Sequence, residues 1–221
     1  MRENKIKSLQ KREEGCGWYV LFALLVAALF LTRIWWVNSY GGVIVSGNSM
    51  QETLQSGDYL LMKKTYHGQG LERGDVIVVD VTAYPECGNT DYLIKRLIAV
   101  EGDKVKCENE QLYICYAGSD EYVMLDEPYA YYGLKNATYD FQGQEYVVGE
   151  GEIFFLGDNR ENSMDSRYKE IGGSHLKGRL YKADDVYGVV PEWSVKNKKI
   201  LGAIQGFKMK LANIFGKNNK K

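Results

Sequence analysis

A mainly β domain carried behind a single N-terminal transmembrane helix is the fold class this sequence predicts. Three observations lead there. Trp18 to Val37 is a nearly unbroken apolar run. After it come short runs of β-branched and apolar residues, bounded by pairs such as Gly74-Asp75 and Gly102-Asp103. Between residues 40 and 195 helical periodicity is nearly absent, which favours strands over helices.

Residues 1–15 are polar, with Arg2, Lys5, Lys7, Lys11 and Arg12 against three glutamates. Residues 16–38 form the predicted span, because about twenty residues at helical rise cross roughly 30 Å of hydrocarbon. Arg33 interrupts the run beside Trp35 and Trp36, where a long cation and two indoles suit an interface. The basic flank predicts a cytoplasmic N-terminus and an extracytoplasmic remainder, in a single-pass protein of the cell membrane. A cleaved secretory signal is the competing reading. The run is long for that, and Arg33-Ile34-Trp35-Trp36 follows instead of a small-residue cleavage site, so an uncleaved anchor is expected.

Residues 39–195 then read as strands in order: Tyr59–Met62, Val76–Val79, Leu93–Val100, Val105–Cys107 with Leu112–Ile114 as a hairpin turning at Asn109-Glu110, Ile153–Leu156 and Val186–Val190. Within them, residues 108–150 form a variable insert. Its tyrosine-rich part, Tyr113 to Tyr146, lacks a pattern and is read as a surface segment whose rings pack a hairpin. In the hairpin register Cys107 faces Leu112 and Cys115 faces Lys104, so the two cysteines lie on opposite sheet faces. A bridge between them is not expected, and the sequence leaves the state of Cys87, Cys107 and Cys115 open. With Cys16 they show no CxxC spacing, and two histidines do not complete a zinc set.

Charge is uneven along the chain. Eight of the 28 basic residues and none of the 29 acids lie in Lys196–Lys221, so the preceding residues carry 20 basic groups against 29 acidic ones. In this tail, residues 196–221, Ile200, Ile204, Phe207, Leu211, Ile214 and Phe215 fall on one helical stripe beside lysines. Gly202 and Gly206 weaken that helix. A basic, possible membrane-surface helix and a solvated terminus remain the two readings.

The chemistry centres on Ser46-Gly47-Asn48-Ser49-Met50. A serine hydroxyl is a weak nucleophile and needs a base within hydrogen-bond reach. His67 and His175 lie in no catalytic context. Lys95, within Tyr92-Leu93-Ile94-Lys95-Arg96-Leu97-Ile98, is the better base. Strand alternation puts it on one face with Leu93 and Leu97 and sends Arg96 to the other. Apolar burial could lower its pKa from near 10.4 toward 7, a shift worth about 4 kcal/mol. A solvent-facing edge lysine is the plainer reading of that residue alone. Ser166-Arg167-Tyr168-Lys169 is a second SxxK match, but it lacks the partner motifs of enzymes that use one.

The set Ser49-Met50, Thr53-Leu54, Gly57-Asp58, Gly74-Asp75-Val76, Lys95-Arg96, Gly102-Asp103 and the block Gly157-Asp158-Asn159-Arg160-Glu161-Asn162-Ser163-Met164-Asp165-Ser166-Arg167 resembles the bacterial type I signal (leader) peptidases. Their order and the preceding span match that family too, and the spacing is more like its Gram-positive members. The resemblance implies a signal-peptidase-like β domain, with Ser49 as nucleophile and Lys95 as general base. It further implies that Ser163 bonds and orients the lysine amine, that Asp165, Arg167 and Arg96 form a supporting charged network, and that the Ser49 backbone N–H is an oxyanion donor. Met50 is expected to pack. Gln51-Glu52 departs from the proline-containing pattern of the family, and Gly47 stands where Gram-negative members carry a hydroxyl. Implied partners are secreted preproteins with small residues at positions −1 and −3, and the lipid bilayer. No cofactor, metal or nucleic acid is implied, and no Walker A, GxGxxG or HExxH pattern occurs.

Two further readings stand beside this one. A self-cleaving Ser/Lys protease shares the chemistry, yet its DNA-binding N-terminal domain is replaced here by a span. The other is a catalytically inactive membrane-anchored β domain that binds a partner.

Overall fold

The computed structural model describes residues 2–84, 87–109, 111–131, 145–167 and 181–218. Tyr168, Lys169, His175 and the central part of the tyrosine-rich segment lie outside them, as do the side chains of Cys16, Ile214 and Phe215. The chain forms two units, Met1–Tyr40 and Gly41–Lys221.

The first unit is one helix, α1 (Arg2–Ser39). Its stretch Gly17–Ser39 is 23 residues long with mean hydropathy 2.2, long and apolar enough to cross a membrane. Apolar side chains there face outward all round, from Trp18 to Trp36. At its end Trp36 stacks on Tyr40 with ring centroids 4.5 Å apart.

The second unit is built on two antiparallel sheets. The strands are β1 (Tyr40–Ile44), β2 (Tyr59–Lys64), β3 (Val76–Asp80), β4 (Tyr92–Val100), β5 (Lys104–Glu108), β6 (Gln111–Cys115), β7 (Val123–Met124), β8 (Glu145–Val147), β9 (Glu152–Leu156), β10 (Tyr181–Lys182) and β11 (Val186–Val190). Seven make one sheet, in the order β1-β2-β11-β3-β4-β9-β10, and four make the other, in the order β7-β6-β5-β8. Every strand read from the sequence is present. The weaker β1, β7, β8 and β10 were not foreseen, because Gly41-Gly42 disguises the first and the others are two or three residues long. Two helices follow, α2 (Glu192–Lys196) and α3 (Lys198–Asn218).

β4 is the longest strand among the described residues; Leu93, Lys95 and Leu97 are buried on one face, and burial is continuous from Leu97 to Ala99. It pairs with β3 on one side and β9 on the other. One face joins Leu93 and Leu97 to Ile77, Val79 and Phe155. Further along, Ile98 and Ala99 pack with Phe154 and Leu156 against Val105, Cys107, Leu112 and Ile114 of the small sheet. β11 enters between β2 and β3, so Val190 shares a third cluster with Val45, Met50, Leu54 and Val76. The hairpin register is as expected, with Lys104 opposite Cys115 and Cys107 opposite Leu112. Cys87, Cys107 and Cys115 are buried, and no disulfide joins them among the described residues.

The turn from β4 to β5 is bolted by Asp103, which is fully buried. It accepts two hydrogen bonds from Arg73, both 2.7 Å, and others from the N–H groups of Val100 and Ala117. Burial pushes its carboxyl up, but Arg73 and the two amides outweigh that and hold it below the usual carboxylate range. The stabilisation is present at neutral pH and is lost as acid protonates the group below its ordinary pKa. Asp103→Asn should lower unfolding free energy by about 2 kcal/mol at pH 7, since Arg73 is partly exposed and rehydrates. Urea unfolding in detergent at pH 7 checks this, and the difference should shrink in acid.

Candidate active site

The segment Val45–Asp58 is a closed turn. Val45 N–H bonds Asp58 O at 2.9 Å, and Gly57 N–H bonds Val45 O at 2.9 Å. Gly47 has φ +85°, a left-handed conformation that glycine adopts without strain. Met50 and Leu54 are 1% and 0% exposed and plug the turn into the third cluster. Met50 therefore packs, as expected. These anchors present Ser49, half-buried, above the sheet.

A second element holds Ser49 from behind. After β9 the chain runs Gly157-Asp158-Asn159, and Asn159 N–H bonds Ser49 O at 3.0 Å while its Nδ2 bonds Asn48 O at 3.1 Å. Gly157 is required for this approach. A Cβ there would overlap both Ser163 Oγ and the Ser49 carbonyl oxygen.

Lys95 lies on the face with Leu93 and Leu97 and is 2% exposed. Its Nζ is 2.8 Å from Ser49 Oγ and donates to Ile94 O at 2.9 Å. Burial lowers its pKa to about 8, against the smaller opposing pull of Asp165 and Asp158. That corresponds to about 3 kcal/mol against the ammonium form. The neighbouring arginines are each matched. Arg167 grips Asp165 with Nε and Nη2, both at 2.9 Å. Arg96 grips Asp158 at 2.8 and 2.6 Å, and Arg160 grips Glu127. Three buried or nearly buried guanidiniums thus face three carboxylates. Among the described residues no carboxylate lies within ion-pairing distance of Lys95. With the amine neutral, the local charges balance.

Burial pushes the Asp165 carboxyl up, but Arg167 and the Gly157 N–H (3.0 Å) hold it below the usual carboxylate range. The expected single network of Arg96, Asp165 and Arg167 is instead two separate pairs. Arg96 stands opposite Leu156 in the sheet, so it reaches Asp158 just beyond the strand end. Tyr129 covers its guanidinium at 3.9 Å, and Thr53 Oγ1 donates to Asp158 at 2.5 Å. Ser163 is also placed differently. Its buried Oγ lies over Gly157, near enough to Asp165 to help hold that carboxyl down, and it does not bond Nζ, which bonds Ser49 Oγ and Ile94 O. The Ser49 N–H has no internal acceptor among the described residues, and Gly47 supplies no hydroxyl beside it.

Thr53, Glu127, Tyr129, Asp158, Asn159 and Arg160 were not assigned roles from the sequence. Asp158, Asn159 and Arg160 stood in the long block, which was the available signal. Glu127 and Tyr129 come from the tyrosine-rich segment read as a surface insert. There Tyr131 N–H bonds Asp158 O at 2.7 Å and Arg160 N–H bonds Tyr131 O at 2.8 Å, so this segment walls the site.

Comparison with known proteins adds the following. Residues 16–200 match the family described as "Signal peptidase, peptidase S26". A signal peptidase IB of Staphylococcus aureus (strain COL) is 32% identical over 170 residues, covering 71% of this chain and 81% of the relative. A signal peptidase I of Bacillus licheniformis is 33% identical over 169 residues, covering 73% and 82%. A crystal structure of a signal peptidase I from Enterococcus faecalis is 28% identical, with TM-score 0.37, covering 56% of this chain and 98% of that one.

Two tests follow from the geometry. Acylation of Ser49 in the folded protein should rise about tenfold per pH unit below pH 8 and level off above it, as Lys95 loses its proton. Measuring the labelling rate from pH 6 to 9.5 checks this. Gly157→Ala should lower that rate on the order of 100-fold, because a side chain there displaces Ser49.

Proposed function

We propose, since the chain belongs to the signal peptidase family, peptidase S26, that Ser49 is the nucleophile and Lys95 the general base of its reaction. The chain is a signal-peptide-cleaving serine peptidase, and preproteins carrying signal peptides are its substrates. The observation that carries the assignment is the 2.8 Å contact between Nζ and Oγ, at an amine that has no ion-paired carboxylate among the described residues.

The charged amine donates to Ser49 Oγ, and the neutral amine accepts from it. Loss of one proton from Lys95 therefore reverses the bond and readies the hydroxyl. As Oγ attacks the scissile carbonyl, its proton passes to Nζ. The ammonium so formed is favoured by the fields of Asp165 and Asp158. It then gives the proton to the departing amine, leaving an acyl-serine. Water, deprotonated in turn by Lys95, attacks the acyl-serine, and the proton passes from Nζ to the departing Oγ, which frees the signal peptide and restores the serine. The Ser49 N–H points no hydrogen bond inward and serves the oxyanion.

Asp165 with Arg167, and Asp158 with Arg96, act by fixing the loops that bear on the pair. Ser163 is a positioning residue whose hydroxyl accepts from the amine when the proton moves. The scissile segment binds extended, adding to a sheet edge, with small residues at −1 and −3. β1 is an edge strand ending a few residues before Ser49, which suits that role. The span Gly17–Ser39 lies in the bilayer, with the N-terminus in the cytoplasm and the β unit outside.

Ser49→Ala or Lys95→Met should reduce preprotein cleavage by about 10⁴-fold or more. Lys95→Met should unfold no more easily than wild type at pH 7, because burying an ammonium no longer opposes folding. Cleavage of a radiolabelled preprotein, with mapping of the cut, checks both the assignment and the −1 and −3 preference. Retained cleavage by folded Lys95→Met would overturn the base assignment.

A further inference from the structure

α3 continues past the family match, which ends at residue 200. It is not a dangling extension at its start. Lys198 Nζ donates to Thr53 O at 2.8 Å and pairs with Asp58 at 2.9 Å, so the first turn is fastened to the segment that carries Ser49. Lys198, Leu201, Gly202 and Gln205 are half-buried, and α3 packs on β2. That inward face ends at Gln205.

A different face is left bare. At about 100° per residue, Ile200, Ile204, Phe207 and Leu211 fall within roughly 60° of one another. They are 59%, 61%, 65% and 38% exposed, so water bears the whole stripe. Lys199 and Lys210 lie along one border of it and Lys208 along the other. From Lys196 to the last residue there is no acid at all. An apolar stripe bordered by cations, on a helix too charged to span, has the composition of a helix lying in a lipid headgroup layer.

The charges decide between occupants. A second copy docked stripe to stripe would oppose lysines with lysines, without a carboxylate on either helix to relieve them. A soluble polyanion would neutralise the lysines and leave the four apolar side chains wet. An anionic lipid surface satisfies both, since phosphates meet the border and acyl chains meet the stripe.

We propose that α3 is an interfacial helix that seats on anionic lipid through Ile200, Ile204, Phe207 and Leu211 and their bordering lysines. Through Lys198 it then sets the height of the Ser49 turn above the bilayer. This binding surface is separate from the span and involves no catalytic group.

Amide hydrogen exchange of the full-length protein in nanodiscs tests it. Discs hold one protein each, and contain phosphatidylcholine with or without phosphatidylglycerol. Peptides covering 204–211 should exchange on the order of tenfold slower in the anionic discs. The double variant Ile204→Glu, Phe207→Glu should exchange fast in both, while peptides of β4 and β9 stay protected as evidence of an intact fold. Equal exchange of the wild-type peptides in the two compositions would overturn the proposal. So would protection that appears only in detergent and grows with protein concentration, which would assign the stripe to a second copy. The readout uses no substrate, so it is independent of the Ser49 and Lys95 assignment.

Discussion

Everything in the second unit answers to one condition: a single amine must sit beside a hydroxyl in a place where its charge is unwelcome. Lys95 meets it by position in the longest strand, flanked by Leu93 and Leu97 on a dry face. Dryness alone would lower the pKa of any lysine. What makes the site specific is that the surrounding cations already have their counter-charges. Arg167 holds Asp165, Arg96 holds Asp158 and Arg160 holds Glu127. If one of those carboxylates turned toward Lys95, it would raise the pKa of the amine and keep it charged to higher pH. Closed pairs thus keep nearby charge from reaching the amine at full strength. Their remaining fields still favour the charged form of the amine.

The serine is governed from two directions. Met50 and Leu54 root its turn in an apolar cluster, while Asn159 holds its carbonyl from the end of β9. The absence of a side chain at Gly157 lets these two elements meet. Position is therefore set by packing and by backbone hydrogen bonds, both of which are stiff. The Ser49 hydroxyl is thus held in place before anything binds beside it.

Much of this was legible beforehand. Val76–Val79, Leu93–Val100 and Ile153–Leu156 announce themselves because buried strands need continuous apolar runs, and Ser49 and Lys95 lie beside such runs. Pairing was less legible. That Arg96 meets Asp158 and not Asp165 depends on the register placing Arg96 opposite Leu156, which a linear reading does not contain. The contribution of Glu127 and Tyr129 was hidden for another reason. Their segment carries no hydrophobic period, because it follows Asp158–Arg160 by only isolated backbone contacts. Ser163 had a role by resemblance, yet its contacts depend on how closely its loop stacks on Gly157, a matter of ångströms that residue type does not encode.

The place of β11 has a temporal meaning. It reaches the sheet from near the end of the chain and lodges between strands made much earlier, and its Val190 helps close the cluster that roots Ser49. A nascent protein that already contains Ser49 and Lys95 still lacks the wedge that closes the cluster beneath Ser49. The turn that carries Ser49 can therefore take its final seat only after the last strand has been made.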